Sequence, residues 1–420
     1  MENRNIEMAQ TVAAAVREAG GRTFFVGGYV RDRLLGRETK DVDIEVHGIP
    51  VKTLEGILDR LGERLSMGAS FGVMGLRHYE LDIAMPRSEY ATGRGHRDFA
   101  VFVDPFLGEE KAAQRRDFTV NAMMQDVLTG EILDFFGGQE DLRRRILRHV
   151  DDATFPEDPL RVFRAAQFAA RFGFSVAAET TALCASMDVS ALPAERVMGE
   201  LEKALAKAQR PSVFFDCLRR MDQLSVWFPA LGALAEIPGA WERAMRTTDH
   251  AAALRETAAE PLYFMLAALC AELPDAEGFP AGLTREARLT KYVLNMAALR
   301  AEPDALMDTN APETAFMELF DRSVCPEDLL LLAEAARAEA DPARERRLRE
   351  LLEVYRERMR RPCVTGRDLI EAGVTPGPAL GRALERAHAL RLEGRSPQEQ
   401  LEQALACIRE EETPMGGDAL

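Results

Sequence analysis

Residues 27–46 read GGYVRDRLLGRETKDVDIEV: a glycine pair, an arginine-bearing helical run and two aspartates one residue apart. Thr23 to Val26 just before it reads as a short buried strand and residues 29–35 as a helix, so the chain turns from strand to helix at Gly27 and Gly28. Such a turn lets backbone N–H groups approach an anion at the electropositive end of a helix, and Arg31 adds a forked donor to the same phosphate. A glycine pair alone is a weak signal, because turns use glycine everywhere. Asp41 and Asp43 strengthen it. On a strand over 41–47 they share a face about 6.6 Å apart, so both carboxylates converge on one site. Like charges held there are costly without a cation, and Mg²⁺, with its preference for oxygen, is the natural one. Two aspartates on a solvated face are the plainer alternative; Val42, Ile44 and Val46 suit an inner strand with one functional face instead.

A third carboxylate lies in ELDIAMPR (80–87), where Asp82 stands between Leu81 and Ile83 and Glu80 competes with it. Phosphoryl and nucleotidyl transfer commonly use carboxylate-bound metal ions about 3.5–4 Å apart, which stabilise attacking and leaving oxygens together.

Outward from this stretch, 420 residues with 47% hydrophobic and 29% charged content describe a folded chain of several modules. The net charge of −16 argues against a surface coated for non-specific nucleic-acid binding and leaves room for a local basic groove. Six cysteines without a CxxC spacing, and an N-terminus lacking the signal-peptide pattern, lead us to expect reduced thiols in the cytoplasm. No apolar run is long enough for a membrane span.

The expected elements are a helix at 5–19 stopped by Gly20-Gly21, a helix at 51–62, and a hairpin at 71–84 turning near His78. Beyond Leu142 strands nearly vanish, and helical patterns run over 158–172, 195–208, 211–221, 261–273, 328–360 and 397–411. The fold class is α+β: a head with a mixed sheet and helices (1–150), then all-α segments at 151–220, 221–365 and 366–420. The charged run ARAEADPARERRLRELLEVYRERMRR (336–361) invites a nucleic-acid reading, but its alternating signs favour a solvated helix face.

Two further motifs follow, RRDFTVNAM at 115–123 and EDPLRVFRAAQFAARFGF at 157–174. On a helix, Asp158 and Arg161 stand at i and i+3, with Arg164 a turn further on. A carboxylate acceptor beside a guanidinium donor complements an amino group beside a ring acceptor, the edge that cytosine and adenine share. Uracil and guanine place a carbonyl where the amino group would be, and a good bidentate contact discriminates by about 1–3 kcal/mol. The plain alternative is an i, i+3 ion pair worth about 0.2–0.5 kcal/mol.

In this order the four motifs resemble the class II tRNA nucleotidyltransferases, the CCA-adding enzymes that share a branch with bacterial poly(A) polymerases, and the resemblance covers most of the chain. It implies a polymerase-beta-like nucleotidyltransferase head followed by helical neck, body and tail. It implies catalysis by Asp41 and Asp43 holding Mg²⁺, and the residues themselves offer Asp82, in competition with Glu80, as a candidate third metal ligand. Gly27, Gly28, Arg31 and Arg116 would hold the triphosphate, with Asn121 in support, and Asp158, Arg161 and Arg164 would choose the base. The implied partners are tRNA, CTP and ATP, and the implied activity is CCA addition. An A-adding enzyme, a poly(A) polymerase or a catalytically silent RNA-binding protein on the same scaffold are the alternatives. The motifs say nothing of oligomeric state.

The resemblance also marks departures. Gln167 stands where the family usually has a third arginine, and Ala112-Ala113 replaces an acidic residue and leucine. Residues 87–110 correspond to a flexible loop that helps the family change from C to A addition. In family members with a phosphohydrolase-type body, metal ligands fall where this chain has Arg243 and Ala271-Glu272, which implies a degenerate body. The tail resembles a tRNA-binding segment, with helix starts at Gly366 and at Gly377-Pro378.

Overall fold

The computed structural model describes residues 2–37, 41–66, 73–91, 99–361 and 363–412. They form two compact units, Met1–Gly232 and Ala233–Leu420. The first opens with helix α1 (Glu2–Glu18), strand β1 (Arg22–Val26), helix α2 (Gly28–Leu34), β2 (Val42–His47) and α3 (Val51–Leu61). Strands β3 (Arg64–Ser66), β4 (Met74–Leu76), β5 (Leu81–Ala84), β6 (Arg87–Ala91) and β7 (Phe99–Val103) follow. Next come α4 (Glu109–Gln114), α5 (Thr119–Ala122), β8 (Met124–Asp126), β9 (Ile132–Leu133) and α6 (Gly138–Arg144).

Seven strands form one sheet in the order β3-β4-β5-β2-β1-β8-β9, while β6 and β7 pair as a separate hairpin within 87–110, whose residues 92–98 lie outside the described chain. β1 runs RTFFV, and all but Arg22 is buried, as a central strand covered on both faces requires. β2 pairs antiparallel with β1, Phe25 opposite Ile44, and parallel with β5, Asp43 opposite Asp82. The hairpin expected near His78 is β4–β5, and His78 turns it with φ 75°. Gly21 lets α1 pass close to the sheet: a Cβ there would lie 2.5 Å from the His47 carbonyl oxygen.

Helices α7 (Arg161–Phe172), α8 (Ala178–Ala185), α9 (Ala194–Lys207) and α10 (Ser212–Arg220) follow in the first unit. α7 buries Val162, Phe163, Ala166 and Ala169 and packs against α9 and α10. It begins three residues later than its periodicity predicts. Residue 158 precedes Pro159, whose ring disfavours helical backbone in the residue before it, and Asp158 is extended at φ −118°, ψ 97°.

The second unit is helical. The run expected at 328–360 is two helices, Pro326–Ala336 and Pro342–Arg360. The break has the same cause: Asp341 precedes Pro342, sits at φ −128°, ψ 82°, and caps the second helix by accepting from the Arg344 N–H. The tail helices Gly366–Glu371, Pro378–Leu392 and Pro397–Glu412 share a cluster around Leu369, Ala383, Ala387 and Ala404. A capping box of Thr365 and Asp368 starts the first of them. Among the described residues, no helix is long and apolar enough to cross a membrane.

Candidate active site

Asp41 stands just before β2, and Asp43, Glu45 and His47 follow on the same face of the strand. The parallel pairing with β5 sets Asp82 beside Asp43. Burial, Asp82 and Asp41 together push the Asp43 carboxyl up to about 6, against the pull of the Arg116 guanidinium. Burial and Asp41 raise Asp82 as well. Glu80 contributes to neither, so Asp82 is the third carboxylate of this cluster. An all-oxygen set of mutually repelling carboxylates fits a hard divalent cation. Among the described residues no group of three or more His, Cys, Asp or Glu could hold a metal alone. Mg²⁺ does not need one, since it is commonly bound by one or two carboxylates with substrate phosphates and water completing its shell.

Glu45, 2% exposed, lies beneath. Its Oε2 accepts from Arg116 Nη2 at 3.1 Å and lies 3.8 Å from Arg115 Nη2, while His47 Nε2 is 2.9 Å from Oε1. Burial opposes its charge, yet Arg116, His47 and Arg115 hold the carboxyl down to about 2. Arg116 is thereby fixed beside the phosphate turn. A Cβ on Gly27 would sit 3.4 Å from Arg116 Nη1, and one on Gly28 would sit 3.4 Å from Arg31 Nη2. Gly27 has φ 65°, a conformation that favours glycine.

A second chain of contacts runs from α2 to α7. Arg31 donates to Asp32 through Nε at 2.8 Å and to Asn121 Oδ1 through Nη1 at 2.6 Å. Asn121 Nδ2 donates to Asp117 Oδ1 at 2.9 Å, and Arg164 donates to Asp117 Oδ2 through Nε and Nη2 at 2.9 and 2.5 Å. Burial opposes the Asp117 charge, and Arg164, Asn121 and Arg161 outweigh it, keeping its carboxyl below the usual range. Aromatic rings support the cations: Arg31 lies 4.3 Å, Arg171 4.9 Å and Arg37 5.0 Å from the centre of Phe172. Burial and the neighbouring Arg31 lower the Arg171 pKa, as expected where positive charge is crowded and an anion would relieve it.

These groups share one cavity of about 710 Å³. Gly27, Gly28, Arg31, Asp41, Asp43, Arg116, Asn121, Asp158, Arg161 and Arg164 all line it; Asp82 stands next to it. Seven basic and four acidic side chains form its wall, including Arg171, Lys203 and Lys207, so the cavity is basic in a protein of net charge −16.

The expected helical pair of Asp158 and Arg161 is corrected here. Asp158 precedes α7, its Oδ1 accepting from the Leu160 N–H at 3.1 Å and its Oδ2 from Arg196 Nη2 at 3.0 Å. Arg161 donates to the carbonyls of Thr154 and Arg115 at 2.8 and 2.7 Å. Both keep unused capacity, since each carboxylate oxygen has a second lone pair and the guanidinium five N–H groups. The sequence reading passed over Glu45, whose signal was available in the alternation Asp41, Asp43, Glu45, His47. It also passed over Phe168, Phe172 and Lys203, which no local pattern marks.

In the second unit, Arg243 and Glu272, the positions aligned with phosphohydrolase ligands, form an ion pair, Nε to Oε2 at 3.4 Å, and Arg300 lies 3.3 Å from Oε1. His250 lies against the Ala335 carbonyl at 3.2 Å.

A glycine turn, a carboxylate cluster on the neighbouring strand and basic side chains thus meet around one cavity. Residues 23–148 match the model of the poly A polymerase head domain. A multifunctional CCA protein of Stenotrophomonas maltophilia is 43% identical over 224 residues, 52% of this chain and 53% of the relative. One of Haemophilus ducreyi is 40% identical over 220 residues, 50% and 51%. The chain spans about half the length of these relatives. The fold is similar to that of solved CCA-adding enzymes. A CCA-adding enzyme in complex with CTP superposes with a TM-score of 0.75 at 20% identity, covering 99% of this chain and 97% of the other. The Thermotoga maritima CCA-adding enzyme complexed with tRNA gives 0.69 at 22% identity, covering 96% and 95%.

Proposed function

We propose that this protein adds CCA to the 3′ end of tRNA, without a template, from CTP and ATP. The observation that carries the reading is the basic cavity in which the Asp41–Asp43 carboxylates, the glycine turn and the α7 residues meet. The names of the matching relatives and the solved complexes with CTP, ATP and tRNA support it.

In this reading Asp41 and Asp43 hold Mg²⁺, with Asp82 behind them. Bound there, the metal ion supplies charge neutralisation for the triphosphate and activation of the RNA 3′-hydroxyl. The chain's own residues do the rest. Asp43 still ionises at neutral pH although burial, Asp82 and Asp41 raise its carboxyl to about 6. Arg116, braced by Glu45, and Arg31, braced by Asp32 and Asn121, bind the phosphates over Gly27 and Gly28 and stabilise charge on the departing pyrophosphate. Asp158 accepts from the exocyclic amino group of cytosine or adenine, and Arg161 and Arg164 donate to ring and sugar acceptors. Lys203, Lys207 and Arg171 border the same cavity and face the RNA end with positive charge.

Sequencing the products formed on tRNA lacking its CCA, under CTP, ATP and both, tests this. Addition of CCA with both nucleotides is the expected result. Addition of A alone assigns the chain to the A-adding enzymes, a long A tract to the poly(A) polymerases, and no addition contradicts transfer.

A further inference from the structure

We propose that Gln167 is a base-selecting residue of this cavity, donating through its amide to the ring nitrogen of the incoming cytosine or adenine. The proposal rests on the reading of the cavity as a nucleotide site. Arg164, Gln167, Phe168 and Arg171 recur at three- and four-residue spacing along α7, so they share the face that lines the cavity. Several other polar groups of this wall already have protein partners, which take up part of their hydrogen-bonding capacity. Arg164 is bonded to Asp117, Arg161 to two backbone carbonyls, Asp158 to Arg196, and Arg31 to Asn121 and Asp32. Gln167 is 1% exposed, and its Nε2 has no hydrogen-bond partner among the described residues. A buried donor left unpaired costs stability, and on a cavity wall a ligand can supply the missing acceptor.

The chemistry of the amide differs from that of the arginine usual in the family at this position. Guanidinium only donates, whereas an amide sets one donor beside one acceptor. With Nε2 on N3 of cytosine or N1 of adenine, Oε1 faces the exocyclic amino group, the pairing by which glutamine reads an amino group beside a ring nitrogen. Asp158, which can only accept when ionised, contacts the same amino group and sets the sense in which the base is read. The amide can exchange its two ends by a half turn, so Gln167 reinforces a choice that Asp158 makes. The rival explanation is structural: α9, which packs against α7, carries another buried atom without a partner among the described residues, Glu200 Oε2, and Arg116 Nε on the cavity wall is a third.

The test is steady-state incorporation of CTP, ATP, UTP and GTP into tRNA lacking its CCA by wild type, Gln167→Met and Gln167→Arg, with melting temperatures measured alongside. Methionine keeps the volume and removes the hydrogen bonds. It should lower kcat/KM for CTP and ATP about tenfold while leaving the slow use of UTP and GTP unchanged, so that selection narrows. Arginine, which keeps a donor, should recover part of the loss. An equal loss for all four nucleotides, or a lower melting temperature with unchanged selection, would overturn the proposal. If the wild type itself incorporates nothing, the reading of the cavity fails, and this inference with it.

Discussion

Helix α7 and the helix Pro342–Arg360 are both rich in arginine, and they use it in opposite ways. Along Pro342–Arg360 the guanidinium groups meet nearby carboxylates: Arg344 with Asp308 at 2.6 Å, Arg347 with Glu350 and Arg349 with Glu334 at 3.2 Å, Arg356 with Glu327 and Glu353. A smaller cavity of about 360 Å³ borders this helix, and its three arginines face four glutamates over a leucine floor. Along α7, Arg164 is tied to a buried aspartate, Arg161 to backbone carbonyls, and Arg171 is crowded by Arg31. The count of arginines therefore says little. What distinguishes a site is cationic charge that the surrounding protein leaves in excess, beside a cavity whose opposite wall is a set of strained carboxylates.

The contrast can be broken by substitution. Arg164→Ala leaves Asp117 buried without its main partner. Because the Arg164 side chain is 31% exposed, the expected loss is about 2–4 kcal/mol, at or below the range for a sealed pair, measured by urea unfolding. Nucleotide incorporation should fall at least about tenfold. A neutral result would mean that Arg164 resembles its counterparts in Pro342–Arg360.

Next in size is Glu45→Gln, which removes the charge that fixes Arg116. The KM for nucleotide should rise about tenfold with kcat less affected, the signature of lost phosphate binding. Stability reports the same contact. The Glu45 carboxyl lies below its unfolded value of 4.5, at about 2, so its contribution is present above about pH 4.5 and is lost as the pH falls from there toward 2. The variant should lack that part of the acid-unfolding slope.

Asp43 carries the opposite shift. Its carboxyl is raised from 3.8 to about 6, so protons compete with the cation at a pH where ordinary aspartates stay ionised. The Mg²⁺ concentration for half-maximal incorporation should be flat above about pH 7 and climb toward tenfold per unit below about pH 6. A profile flat to pH 5 would show that Asp43 is not a metal ligand.

The smallest effect is expected in the second unit from Arg349→Ala, whose side chain is 62% exposed in its pair with Glu334. It should change stability by less than about 1 kcal/mol and leave incorporation unchanged. A large loss there would erase the distinction between the two helices.

Much of the site was legible because its signals are local. The glycine turn, the i, i+2 aspartates and the hairpin at His78 depend on neighbours in sequence. Asp82 needed the parallel register of β2 and β5 to be separated from Glu80, and strand order is not a local property. Asp158 and Asp341 mark a different failure. Helical periodicity outweighed the proline that follows each of them, although the restriction proline imposes on the preceding residue was readable at both. The rings of Phe168 and Phe172 became supports for Arg31 only when α7 met α2.

The claim that the cavity is where nucleotides are joined to RNA turns on the two aspartates of β2 and its entry. Incorporation of labelled CTP and ATP into tRNA lacking its CCA, compared between wild type and Asp41→Ala combined with Asp43→Ala, tests it most directly. The account predicts incorporation lowered by about a thousandfold or more, with a melting temperature no lower than wild type in the absence of Mg²⁺, since the substitutions relieve a repulsion. Incorporation unchanged in the double variant would contradict it.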